Sequence, residues 1–305
     1  MLHYCTDFRD LKTQFTSTFT TICIYSSIFQ LLTSTSNGGA IYLLQSNMTC
    51  SIRNCVFLSC KSESTHGGAI FSQIFEFSAR FCEGQKCEST NRGLFIFSIA
   101  NRYGKNHFGC SSVYKCAESI VSPQICTVSL STGDLVAEAN NISYNNAYQV
   151  SGIIGYQSPS KLFKYINMIN NSANSKIVQM NEGTSNTMIY SNVCFNSASD
   201  SVILAIHPVS SDYTWVISDC IMYGNTPKAI SIINHNQTLI GLLIIKNSYI
   251  ESYVSHTCLI VQSPITPTTL YDMKNFIQAL CTADYTMAIT SKLIPIAFLF
   301  TFFIQ

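Results

Sequence analysis

The feature that most restricts what this chain can become is a five-residue phrase that returns after 29 positions. Residues 38–42 read Gly-Gly-Ala-Ile-Tyr and residues 67–71 read Gly-Gly-Ala-Ile-Phe. Degraded copies follow at intervals of 24 to 33 residues: Arg92-Gly93-Leu94-Phe95-Ile96, Glu118-Ser119-Ile120-Val121, Ser151-Gly152-Ile153-Ile154, Ser175-Lys176-Ile177-Val178, Asp200-Ser201-Val202-Ile203, Lys228-Ala229-Ile230-Ser231 and Thr257-Cys258-Leu259-Ile260. Each is a small or polar residue followed by a short apolar run. Self-similarity at such a period is the mark of a stacked-repeat architecture.

A second column keeps step with the first. It has the form apolar-x-Asn-x-apolar, as in Ile52-Arg53-Asn54-Cys55-Val56 and Ile245-Lys246-Asn247-Ser248-Tyr249. Later copies centre on Asn141, Asn167, Asn192, Asp219, Asn247 and Asn275, spaced by 26, 25, 27, 28 and 28. Three share a longer core: Asn141-Ile-Ser-Tyr-Asn-Asn-Ala147, Asn167-Met-Ile-Asn-Asn-Ser-Ala173 and Asn192-Val-Cys-Phe-Asn-Ser-Ala198.

The period within each copy decides which solenoid this is. Runs of four to six residues rich in Ile, Val, Phe and Tyr alternate with Ser, Asn and Gly, a strand rather than a helix signature. Only 11% of residues are charged, too few for the polar faces of surface helices. The prediction is all-β: a right-handed single-stranded parallel β-helix of about nine coils of 24–33 residues, spanning 20–280. Residues 1–19 form an N-terminal segment or cap, and 281–305 a spacer with a hydrophobic tail.

In that architecture Gly38, Gly39, Gly67 and Gly68 sit at corners, where a positive φ is needed. A phosphate-cradling loop would need a following helix and a Lys, and neither is present. Asn54, Asn141, Asn167, Asn192, Asn247 and Asn275 are expected to stack as an amide ladder at about 4.8 Å. The plainer account of the same residues is enrichment of Asn in turns.

Ten of the 14 cysteines lie between Cys5 and Cys126. Cys55, Cys82 and Cys110 form one coil-spaced column, and Cys60, Cys87 and Cys116 a second. Stacked positions fall within the Cα separation a disulfide needs, so these six are disulfide candidates, between coils or within one. The alternative is that they are inward thiols acting as small core hydrophobes. A zinc site would want a different spacing, and no metal or other cofactor is expected.

Net charge is +1, which offers nothing to nucleic acid. Sequons begin at Asn47, Asn141, Asn170 and Asn236; with the cysteines they favour the oxidising side of a membrane. Residues 293–304 are an apolar run too short to cross a bilayer but suited to a lipid-anchor signal, with Thr282 and Ala283 upstream. The apolar stretch 20–32 lacks a basic flank and reads better as a first, irregular coil than as a signal segment.

The two Gly-Gly-Ala-Ile-[Tyr/Phe] copies, with apolar-Asn-x-apolar elements between them, resemble the repeats of polymorphic outer-membrane-protein-like β-helix domains. Those domains occur in bacterial and protist surface proteins. The resemblance covers roughly residues 20–280, with its specific motif in two coils. It implies display at a cell surface or secretion, and adhesion to a glycan or a host-cell surface protein. It brings no catalytic residues.

The rival expectation is a carbohydrate-active β-helix related to pectin lyases and polygalacturonases, which needs convergent carboxylates. Asp200, Asp212 and Asp219 come closest, although spacings of 12 and 7 do not match the coil period. His207 and His235, 28 apart, have no acidic partner in register. Tyr42, Tyr144, Tyr190, Tyr213 and Trp215 are candidates for a sugar-stacking face. The expectation is therefore a structural or adhesive protein rather than an enzyme.

Overall fold

A computed structural model describes residues 6–9, 13–63, 66–117, 125–181, 183–199, 202–207, 214–227, 230–232, 241–251, 253–255 and 258–264. They form a parallel β-solenoid of about eight turns, one fewer than the repeat count suggests. One coil shows the plan: strands Val150–Tyr156, Ser160–Lys164, Asn167–Ile169 and Ser172–Ala173 follow one another around the axis. Each pairs in parallel with its counterpart one coil on, as Ile153 with Val178, Leu162 with Thr187, Met168 with Val193 and Ala173 with Ala198.

Alternation along short strands sends every second side chain inward. The isoleucine-rich column built by the glycine phrase runs Ile41, Ile70, Ile96, Val128, Ile153, Val178, Leu204 and Ile230. None of these is more than 1% exposed. Stacking like on like fills the interior with no layer left to the side: Phe29 lies flat on Phe57 with centroids 5.0 Å apart. At about 2–3 kcal/mol per buried Ile or Phe, this column is the main term holding the coils together.

The glycines play two roles. Gly38, Gly67 and Gly93 have φ of 68°, 67° and 68°, so they make the corner before the strand. Gly39 and Gly68 have ordinary φ, and for them the constraint is approach between coils. A Cβ on Gly39 would lie 2.2 Å from the Gly68 carbonyl oxygen, and one on Gly68 2.0 Å from that of Leu94.

Two further corners flank the three-residue strand, and both are left-handed. The first is occupied by Ser26, Asn54, Phe81, Cys110, Ala139, Tyr165, Tyr190, Asp219 and Asn247, the second by Leu31, Ser59, Lys86, Lys115, Tyr144, Asn170, Phe195 and Gly224. Such a corner turns the next N–H away from the regular ladder, and a side chain one coil on receives it. After the first corner, Cys82 N–H donates to Ser111 Oγ (3.0 Å), Ser111 N–H to Asn140 Oδ1 (3.1 Å) and Ile166 N–H to Ser191 Oγ (3.1 Å). After the second, Cys116 N–H donates to Asn145 Oδ1 at 2.9 Å, and Asn145, Asn171 and Asn196 hand the contact on to Asn171, Asn196 and Asn225.

These two columns correct the cysteine and asparagine expectations together. Position by position the second column reads Cys60, Cys87, Cys116, Asn145, Asn171, Asn196, Asn225, and each side chain donates to an inward carbonyl of the preceding coil. The cysteines do the work that asparagine does later in the chain. Cys55, Cys60, Cys82, Cys87, Cys110 and Cys116 are free thiols, not disulfides. In-register stacking keeps the Cβ atoms near the strand spacing of about 4.8 Å, whereas a disulfide wants about 3.8 Å. Cys110 leaves its column altogether: it is the left-handed corner residue, half exposed, and Ser111 takes the inward place. Cys23, outside both columns, is disulfide-bonded.

The expected asparagine column also mixes two positions. Asn54 and Asn247 are corner residues, while Asn141, Asn167 and Asn192 stack in register on the strand two places later. That stack makes no amide–amide bonds. The ladder is four residues downstream, where Asn145, Asn171, Asn196 and Asn225 are joined Nδ2 to Oδ1 at 3.0, 3.1 and 3.0 Å. The reason is direction: the downstream residues point inward, where an amide must find partners, and the upstream ones do not. Asn275 lies outside the described residues.

Candidate functional site

Of the acidic candidates, only Asp219 is among the described residues. It is a corner residue whose Oδ2 accepts from Ser218 Oγ at 2.5 Å. Asp200 and Asp212 lie outside the described residues, as do His235 and Tyr213. Trp215 is 2% exposed and belongs to the core, which removes it from any sugar-stacking face. Tyr42 stacks on Phe71, and Phe71 on Phe97, in one aromatic column along the glycine-phrase strands.

The chain brings together one acid–base group that its sequence does not advertise. Glu138 Oε1 accepts from Arg80 Nη2 at 3.4 Å and lies 3.2 Å from His107 Nε2. Arg80 and Glu138 are on paired strands through Gly109, and His107 stands two residues before that glycine. Burial pushes the His107 imidazole below its ordinary range; Glu138 opposes this, and Arg80 adds to it. The trio has a single carboxylate, whereas glycosidic hydrolysis in its common form uses two. Spacings of 27 and 31 residues between its members, each near one coil, were the available signal.

Lys161 is 2% exposed, and its Nζ donates to the Ser158 carbonyl at 2.9 Å and sits 3.4 Å from Asn186 Oδ1. It ties the turns of two coils. Among the described residues no group of three or more His, Cys, Asp or Glu is placed to hold a metal ion.

The lateral surface carries more. Five aromatic residues occupy left-handed corners: Phe81, Tyr144, Tyr165, Tyr190 and Phe195. Tyr165 and Tyr190 stack with centroids 5.2 Å apart, and Phe195 meets Tyr223 edge to face at 5.7 Å. Between the two corners the strand floor is uncharged: Asn141 and Ser143, Asn167 and Ile169, Asn192 and Cys194. Round the next bend, Tyr148, Gln149, Asn174, Ser175, Lys176 and Ser199 line an open polar concavity of about 470 Å³.

The sequons differ in access. Asn47 and Asn170 are exposed, Asn141 is half-buried with its Oδ1 enclosed, and Asn236 is outside the described residues. The apolar tail 293–304 also lies outside them. Among the described residues no helix is long and apolar enough to cross a membrane.

Comparison of the chain with protein-family models, with characterised proteins and with solved structures finds no match.

Proposed function

We propose that this chain is a secreted or surface-displayed β-helix that acts by adhesion, presenting a polar lateral face to a glycan or a host-cell surface protein. The observation that carries this reading is the uncharged strand floor between the two left-handed corners, with the exposed rings of Tyr144, Tyr190 and Phe195 and the half-buried ring of Tyr165 at those corners. Interaction surfaces are commonly rich in Tyr with adaptable Ser and Asn, and poor in charge. The polymorphic outer-membrane-protein-like resemblance of the repeats and the accessible sequon at Asn47 favour an extracellular setting. The apolar tail would supply attachment to a membrane.

The test is to display the full chain on a non-adherent cell and measure attachment to glycan-coated surfaces and to cultured cells. Attachment above that of undisplayed cells supports the reading, and none on any surface refutes it. Cleavage of pectin or polygalacturonate that is lost in Glu138→Gln would replace it with the enzymatic alternative.

A further inference from the structure

The left-handed corners hold residues that the backbone does not want there. Asn, Gly and Ser accept this conformation at little cost, and the same two columns use them at Ser26, Asn54, Asn247, Ser59, Asn170 and Gly224. A bulky aromatic residue with positive φ is an outlier. Tyr144, Tyr190 and Phe195 nevertheless sit there with 48%, 39% and 45% of their surface exposed. The rings touch one another along the axis, Tyr144 with Tyr114, Tyr165 with Tyr190 and Phe195 with Tyr223, and still leave a face to solvent. Backbone outliers of this kind recur where a surface binds something.

The floor between these rings makes the same point independently. Asn167 and Asn192 are only 7% and 4% exposed, yet their Oδ1 atoms, and that of Asn141, have no donor. Three acceptors without donors therefore lie on three successive coils, in register.

We infer that this strip, from Asn141 to Tyr223, is the seat of a linear, neutral glycan running along the solenoid axis. The inference rests on the adhesive function proposed above and names its ligand. Size decides between a sugar chain and a protein. A three-residue strand is about 10 Å long and four coils span about 19 Å, so the strip offers roughly 200 Å². A stable protein partner needs about 800 Å² from each side. A single polysaccharide chain is narrow enough to lie between the corner rings. Its sugar-to-sugar rise is close to the strand spacing, so successive residues meet equivalent groups on successive coils. The three amide oxygens are enclosed in the unbound chain, and rotation of each side chain would present them to sugar hydroxyl donors. The corner rings pack against the apolar faces and edges of the sugars, and the uncharged floor suits a neutral chain.

The experiment is calorimetric titration of the full chain with β-linked hexose and N-acetylhexosamine oligomers of two to six units, alongside oligogalacturonate. Affinity should rise with length to about four units and then level off, with neutral oligomers preferred. The combined variant Tyr144→Asn, Tyr190→Asn, Phe195→Asn places a residue suited to positive φ at each corner. Its melting temperature should therefore hold or rise while affinity falls at least tenfold. Unchanged affinity in that variant, or no binding of any neutral oligomer by the parent chain, overturns the inference. Attachment of displaying cells, measured in parallel, separates the two failures: attachment that survives the triple variant removes the strip but keeps adhesion, and attachment absent from the parent removes both.

Discussion

Asn171 is where the inward ladder can be tested most sharply. Its Oδ1 accepts from the Asn145 backbone N–H and from Asn145 Nδ2, both at 3.0 Å. Its Nδ2 donates to the Ile142 carbonyl at 2.8 Å and to Asn196 Oδ1 at 3.1 Å. Asn171→Ala leaves the Asn145 N–H buried without an acceptor, at roughly 1–3 kcal/mol, and removes three more buried hydrogen bonds at about 1 kcal/mol each. The expected loss is about 5 kcal/mol. Asn192→Ala supplies the contrast: Asn192 is 4% exposed, but its side chain makes no hydrogen bond, so less than about 1 kcal/mol should go. Urea unfolding followed by circular dichroism measures both. Pairing Asn171→Ala with Asn196→Ala should give a coupling of at least about 1 kcal/mol, because the second removal acts on a ladder already broken. Equal losses for Asn171→Ala and Asn192→Ala would refute the assignment of the ladder to the inward column.

Alkaline pH should unfold the chain early. Burial holds the Cys55 and Cys126 thiols up at about 11 and Cys220 at about 12, against 9.0. The folded state keeps these protons longer than the unfolded one, so stability is full below pH 9 and falls as pH rises through the folded values. These three thiols alone remove about 3 kcal/mol between pH 9 and 10. Urea midpoints under reducing conditions that do not move between pH 8 and 10 would contradict this. Gly68→Ala puts a Cβ 2.0 Å from the Leu94 carbonyl oxygen, and loss of soluble folded protein or a fall above about 3 kcal/mol is expected. Of the ten free cysteines described, only Cys110 is not buried, so native alkylation followed by peptide mapping should label it first. Expression through a eukaryotic secretory route should glycosylate Asn47 and leave Asn141 largely unmodified, read by peptide mass.

The coil period and the glycine phrase made the fold legible without coordinates. Gly38 and Gly67 recur at 29 because positive φ and backbone contact leave no other residue available. The inward isoleucine column follows because alternation in a strand is strict. The polar columns were legible only to within a few residues. The three shared cores contain Asn145, Asn171 and Asn196 as well as Asn141, Asn167 and Asn192, and composition does not separate them. The acid–base trio of Arg80, His107 and Glu138 was missed because its members come from three coils and form no local pattern.

The sequence by itself determined a parallel stack of short strands, through a repeat that only a solenoid can satisfy. Tertiary structure decided which of two similar residues faces in. A left-handed corner shifts the inward–outward phase by one, and no periodicity in the sequence marks where that shift falls. Hence Cys110 is a corner residue and Ser111 a bridge, and hence cysteines that could have been staples are free thiols donating to backbone carbonyls. The same shift carries Tyr144, Tyr190 and Phe195 to the outside.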